Sequence, residues 1–192
     1  MKRIAIFASG SGSNAENIAN YFKSSPEIEI SLILSNKKDA FVLERANKLN
    51  IPSYVFNRND FYETDNIINL LKTKKIDLVV LAGFLWLVPV SLIKAYPNAI
   101  LNIHPALLPK YGGKGMYGMH VHRAVVANKE SETGITIHYV NEQYDEGAII
   151  FQKTVALDHS DTSEDVAAKI HVLEQENFPK VIEKLLKAID EG

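Results

Sequence analysis

Asn102 and His104 stand two residues apart in the stretch NIHPALLPKYGG, which runs from Asn102 to Gly113. An amide supplies N–H donors, and an imidazole can hold or release a proton near neutral pH. In an extended strand residues i and i+2 point the same way, so the two side chains share a face. Pro105 ends the strand just beyond them. The pair thus offers an amide donor and an acid–base group on one face. A histidine used this way often has a carboxylate partner. The segment YDEGAI offers Asp145 in a turn, with Glu146 beside it and Gly147 completing the turn. The same residues also read as an ordinary Asp-Glu-Gly turn, and spacing alone does not carry Asp145 to His104.

A second candidate lies near the start, in ASGSGSNAENI. Gly10, Gly12 and Ala15 match G-x-G-x-x-G/A between a first strand and a first helix. Glycines let backbone N–H groups approach an anion, the helix N-terminus adds partial positive charge, and Ser13 and Asn14 add side-chain donors. A dinucleotide would want an acid at the end of the second strand. That place holds Ser35, Asn36, Lys37 and Lys38, with Asp39 only after the turn. A phosphate monoester therefore fits better than NAD. The alternative is a tight turn that needs glycine and a cap.

The elements that must position these groups alternate. RIAIFA, IEISLILSN, IPSYVF, DLVVLAG and NAILNI read as strands, and the spacing predicts helices over Asn14 to Lys23, Ala40 to Leu49 and Asp60 to Lys72. Ile67, Ile68 and Leu71 fall on one side of the last. DLVVLAG is continuously apolar, as a parallel strand covered on both faces should be. The first hundred residues thus read β-α-β-α-β-α-β-α-β, and ligands of such open sheets bind beyond the carboxyl ends of the strands. The Asn-His pair and the glycine loop are expected at that same edge. Beyond His122, RAVVANK reads as helix, and TGITIHYV and GAIIFQKTVAL as two strands joined by NEQYDE without a helix between them. A long helix from Ser163 follows, capped by Thr162 or Ser163, with Pro179 bending or dividing it. The expected fold is α/β: an open, mostly parallel, doubly wound (Rossmann-like) sheet with a C-terminal antiparallel extension and a long C-terminal helix. Residues 1–192 are read as a single domain.

Composition narrows the function. The chain has 192 residues, 46% apolar and 23% charged, with a net charge of −2. That balance gives no field to draw it to nucleic acid or to a membrane surface. It has no cysteine, which removes thiolate metal sites and cysteine nucleophiles. No stretch approaches the roughly 20 apolar residues of a membrane span, and the apolar run near the start is too short for a signal peptide. A soluble cytoplasmic protein is expected.

SGSGSN, LAGF (residues 81–84), NIHPALLPKY and YDEGA occur in an order that resembles the folate-dependent glycinamide ribonucleotide formyltransferases of purine synthesis, over essentially the whole chain. The resemblance implies a single formyltransferase domain that moves the formyl group of 10-formyltetrahydrofolate to the amine of phosphoribosylglycinamide. It implies no metal, small-molecule substrates, and a monomer or homodimer. By resemblance the catalytic set is Asn102, His104 and Asp145. The ribonucleotide would meet Gly12, Ser13 and Asn14 through its phosphate, and the helical segment His171, Val172, Leu173 and Glu174, with Glu174 placed for the glycinamide amine. The folate would lie against Leu85, Trp86, Leu87 and Val88, and against Asn102 and the loop Asn141, Glu142, Gln143, Tyr144 and Asp145. A carboxylate beside His104 would favour its charged form. The chain departs from the family pattern in three places. Thr64 stands where a folate-binding arginine is common, with Arg58 as a possible substitute. Trp86 replaces a common basic residue. The 111–119 loop is longer, leaving His120 and His122 as substrate neighbours or as a polar helix start. His138 reads as a structural strand residue, and His159 as loop. Related activities use the same motif. Formylmethionyl-tRNA synthesis needs a further basic domain, and formyltetrahydrofolate hydrolysis a preceding regulatory one. A non-catalytic nucleotide-binding module would need no Asn102–His104–Asp145 set.

Overall fold

The structure is a computed structural model and describes residues 1–190. Its strands form one seven-stranded sheet in the order β3 (Ser53–Val55), β2 (Ile28–Ser35), β1 (Lys2–Phe7), β4 (Leu78–Leu81), β5 (Ile100–His104), β6 (Glu132–Tyr139) and β7 (Ile149–Ala156). The chain forms two compact units, Met1–Leu101 and a second from Asn102 onward.

In the first unit β1 (Lys2–Phe7) pairs in parallel with both β2 (Ile28–Ser35) and β4 (Leu78–Leu81), and β2 pairs in parallel with β3 (Ser53–Val55). Ile4 to Phe7 and all of β4 are buried. This is the signature of strands covered on both faces, and it explains why their sequences are apolar without alternation. Helix α1 (Ser13–Phe22) buries Ala15, Ile18, Ala19 and Phe22, one stripe at helical spacing. Helices α2 (Val42–Lys48), α3 (Asn66–Thr73) and α4 (Val90–Ala95) complete the alternation.

One expected helix is broken. The stretch Asp60 to Lys72 divides into a π-helical turn, Asn59–Glu63, and α3. Between them Thr64 is extended, at φ −133° and ψ 166°. Its hydroxyl donates to the Asp60 carbonyl (3.3 Å) and accepts from the Asn66 N–H (3.3 Å). A short polar side chain that bonds nearby backbone offers the chain an alternative to helix.

The second unit takes in most of β5 (Ile100–His104), then α5 (Met119–Ala127), β6 (Glu132–Tyr139), β7 (Ile149–Ala156) and α6 (Ser163–Asp190). Strands β6 and β7 are antiparallel, as the absence of an intervening helix predicts. Helix α5 begins earlier than its apolar core suggests, directly after Gly118, and buries Val121, His122 and Val125. Thr162 caps α6 reciprocally with Asp165: the Asp165 N–H donates to the Thr162 hydroxyl (3.2 Å), and the Thr162 N–H to the carboxylate (2.9 Å). Pro179 does not divide this helix. Proline removes one N–H, but the buried stripe Val166, Ile170, Leu173, Phe178, Ile182 and Leu186 continues through it, and that packing outweighs one lost bond.

Candidate functional site

The glycine loop leaves β1 and turns at Gly12, which is left-handed at φ 74° and forms the N-cap of α1. A side chain there would overlap Val42, so glycine is needed both for the turn and for the approach of α2. The Gly12 carbonyl accepts from the Glu16 N–H (2.9 Å), opening the helix with Ser13 and Asn14 in its first turn. Arg45, on α2, donates from Nε to the Ser11 carbonyl (2.7 Å) and pairs with Glu16. No local pattern reveals this cation, because its contact bridges 34 residues.

The segment after β4 forms an aromatic platform. Trp86 lies 5.9 Å from Phe56, 6.0 Å from Phe61, 6.0 Å from Tyr62 and 6.4 Å from Phe84, between ring centres. Leu85 is exposed, Trp86 and Leu87 are half-buried, and Val88 is buried beneath them. Ser9 fixes the segment: its hydroxyl accepts from the Leu85 N–H (3.0 Å) and donates to Asn36 Oδ1 (2.7 Å). The Tyr62 hydroxyl donates to the Leu87 carbonyl (2.9 Å). The Arg58 guanidinium stacks 5.0 Å from the Trp86 ring and 5.3 Å from Tyr62. Arg58, the candidate substitute for the arginine missing at position 64, thus stacks on this platform, while the Thr64 hydroxyl is bonded within its own turn.

In the second unit β5 aims Asn102 and His104 to one side, and the β6–β7 turn brings Asp145 to both. His104 Nδ1 lies 3.4 Å from Asp145 Oδ2, and Asn102 Nδ2 lies 3.4 Å from Asp145 Oδ1. Asp145 itself is left-handed at φ 57°, a conformation that Asp tolerates. Gly147 follows it because any side chain there would overlap the Tyr139 carbonyl at the end of β6. The Gly113 N–H donates to Asp145 Oδ2 (3.0 Å). His104 Nε2 donates to the Tyr111 carbonyl (2.7 Å), an acceptor only, so that nitrogen carries a proton. The Tyr111 segment is pinned in turn, its hydroxyl donating to Glu130 (2.8 Å).

His138 joins this cluster, which its reading as a structural strand residue did not foresee. It is 2% exposed. Its Nε2 stands 3.1 Å from Asn102 Nδ2 and 3.6 Å from Asp145 Oδ1. The missed signal was the strand itself: HYV leads straight into the turn that carries Asp145.

Two opposing effects act on the imidazole. His104 is 3% exposed. Burial pushes its pKa below the ordinary histidine value. Asp145 and the Tyr111 carbonyl pull it upward without overcoming burial, and His138 adds to the depression. The carboxylate thus offsets burial but does not keep the ring charged. For Asp145, burial raises the pKa, yet the neighbouring His138 and His104 rings, which attract the carboxylate whenever they are charged, and the Gly113 N–H together leave it below the usual carboxylate range. The site near neutral pH is an ionised carboxylate beside an imidazole held toward its neutral form.

Other expected residues fall as follows. Asn141 Oδ1 accepts from the Gln143 N–H (3.0 Å), Glu142 and Gln143 are exposed, and Tyr144 is half-buried beside Asp145 in sequence. On α6, His171 Nδ1 lies 3.8 Å from Glu174 Oε2, and Val172 is 54% exposed. Leu173 points instead into the buried stripe, so its side chain belongs to the core. His120 is exposed against Tyr117 (5.2 Å). His122 is buried, its Nδ1 has no hydrogen-bond partner, and burial and then His104 lower its pKa. His159 lies in a turn. No helix among the described residues is long and apolar enough to cross a membrane.

Residues 2–182 match the family model described as formyl transferase. A phosphoribosylglycinamide formyltransferase of Bacillus subtilis is 37% identical over 197 residues, covering 100% of this chain and 98% of that protein. The chain belongs to the phosphoribosylglycinamide formyltransferase family. A chloroplastic member from Arabidopsis thaliana is 39% identical, covering 100% of this chain and 69% of that protein. The crystal structure of the family member from Bacillus halodurans superposes with a TM-score of 0.86 at 39% identity, over 96% of this chain and 95% of that one. Glycinamide ribonucleotide transformylase 1 from Geobacillus kaustophilus gives 0.87 at 36% identity, over 97% and 99%.

Proposed function

We propose that the chain, residues 1–192 acting as one formyltransferase domain, transfers the formyl group of 10-formyltetrahydrofolate to the amine of 5'-phosphoribosylglycinamide. The products are the N-formyl ribonucleotide and tetrahydrofolate. The observation that carries the reading is the cluster of Asn102, His104 and Asp145, where two donors and a carboxylate meet.

The amine nitrogen attacks the formyl carbon, and negative charge grows on the formyl oxygen. Asn102 donates an amide N–H to it. His104 Nε2–H now donates to a carbonyl oxygen, that of Tyr111, and the formyl oxygen takes that place. A neutral ring already carries this N–H, so the depressed pKa is no obstacle. As the C–N10 bond breaks, the proton lost by the amine is delivered to N10, and the His104–Asp145 pair is the acid–base group in reach. Whenever the ring is charged, the Asp145 carboxylate stabilises it. The phosphate sits on Gly12, Ser13 and Asn14 at the start of α1, and Glu174 with His171 meets the glycinamide end. The pterin lies against Leu85, Trp86 and Leu87, and against the turn Asn141 to Asp145.

The test is tetrahydrofolate release from 10-formyltetrahydrofolate with and without phosphoribosylglycinamide. Release that depends on the ribonucleotide supports transfer. Equal release without acceptor identifies a hydrolase, and no release in either case refutes the assignment.

A further inference from the structure

We infer that His138 is a positioning residue that decides which end of the Asn102 amide faces the formyl oxygen. The inference rests on Asn102 as oxyanion donor. His138 Nδ1 lies 2.8 Å from the Tyr139 carbonyl, which can only accept, so Nδ1 holds the hydrogen. In the neutral ring Nε2 is then a bare acceptor. It stands 3.1 Å from Asn102 Nδ2. An amide is nearly symmetric in shape, and its two ends differ only in what they bond. A bare nitrogen accepts from the NH₂ end and repels the carbonyl end. Asp145 Oδ1 is a second acceptor on the same NH₂, at 3.4 Å. Two acceptors therefore hold the amide nitrogen on the Asp145 side. One N–H is committed to His138. The other has only the long contact to Asp145, and it is the donor left for the formyl oxygen.

Strand β6 is paired without interruption through Ile137 and His138, the unpaired residue of the register shift being Ile150 on β7, so His138 is held by a regular strand. With no acceptor at position 138 only the 3.4 Å contact to Asp145 restrains the amide, and in the turned state its oxygen faces the growing negative charge.

The experiment is a double-mutant cycle in the intact chain, with His138→Leu, His138→Gln, Asn102→Ala and the combined Asn102→Ala/His138→Leu. Leu fills the space without an acceptor, and Gln restores an amide oxygen at a similar reach. His138→Leu is expected to lower kcat by roughly tenfold to a hundredfold, with both KM values within about twofold and the fold intact by circular dichroism. His138→Gln is expected to recover most of that rate. In the Asn102→Ala background the His138→Leu change should cost less than about twofold, since a residue acting only through Asn102 has nothing left to position. Losses that multiply fully, or a His138→Gln variant as slow as Leu, overturn the inference. So does a His138→Leu chain that does not fold while His138→Gln folds and is inactive. If Asn102→Ala alone keeps wild-type kcat, the assignment of Asn102 as oxyanion donor fails instead.

Discussion

Asp145→Asn isolates charge from shape. Position 145 is left-handed, at φ 57°, and Asn accepts that conformation as readily as Asp, so the turn survives. The amide oxygen can still take the Gly113 N–H now donated at 3.0 Å. What is lost is the negative charge 3.4 Å from His104 Nδ1. Full unit charges at that separation attract by about 5 kcal/mol at an effective dielectric near 20, and by about 1 kcal/mol in water. The pair is nearly dry, with side chains 4% and 10% exposed, so the first figure is the closer limit. At about 1.4 kcal/mol per decade of rate, a charged ring that forms only along the reaction loses at most roughly three and a half decades. The expected fall in kcat is about a hundredfold to a thousandfold, with both KM values little changed, because the interaction strengthens after binding. A second readout is the His104 titration followed by NMR. Asp145 raises this pKa against burial, so the already depressed value should fall further in Asp145→Asn. A variant within about threefold of wild-type kcat, or one whose His104 titration does not move, would refute the electrostatic role and leave Asp145 as a turn residue.

Other outcomes follow from the same geometry. Asn14→Ala should raise the KM for ribonucleotide by about tenfold and leave that for folate unchanged; equal effects on both would remove the phosphate from this helix start. Gly12→Val is the poorer probe, since its side chain would overlap Val42 and report on packing. Leu85→Asp should fold normally, Leu85 being 38% exposed, and weaken folate binding in equilibrium titrations; wild-type affinity would place the pterin elsewhere. Arg58→Ala should weaken folate binding by about fivefold to twentyfold and Arg58→Lys by less, and no change would leave Arg58 as a surface cation. Burial first, and a second histidine charge after it, hold His104 and His122 below the ordinary value. The unfolded chain takes up protons that the folded rings resist, so stability should fall as pH drops below about 6.5. His122→Gln should flatten part of that slope in denaturant titrations between about pH 6.5 and 5, and an unchanged slope would show that His122 titrates as in the unfolded chain. Asp145 acts lower in the scale: its depressed pKa adds stability above about 3.9 that is lost as pH falls through the folded value.

The alternation of strands and helices was legible because parallel strands such as Leu78–Leu81 must be apolar on both faces. The antiparallel pairing of β6 and β7 was legible from the missing crossover helix. The break at Thr64 was not, because a side-chain hydroxyl decides it against an otherwise helical pattern. Nor was the passage of α6 through Pro179, which depends on tertiary packing. At the site, Asn102 and His104 announce themselves through strand periodicity. Asp145 and His138 needed the fold to reach them. Arg45 and Arg58 act through contacts with a loop and with rings that no local pattern reveals. The carboxylate that favours the charged His104 ring could be read from sequence, but the depth of burial that opposes it could not.

The most direct test follows the transferred carbon itself. Wild-type protein is incubated with phosphoribosylglycinamide and with 10-formyltetrahydrofolate carrying an isotope label on the formyl carbon, and the label is located by NMR and mass spectrometry. The label should appear on the glycinamide nitrogen in equal amount to the tetrahydrofolate released, and His104→Ala and Asn102→Ala should each slow that transfer by about a hundredfold or more while both substrates still bind. Label released as free formate, or transfer at the wild-type rate in both variants, would contradict formyl transfer by the Asn102–His104–Asp145 cluster.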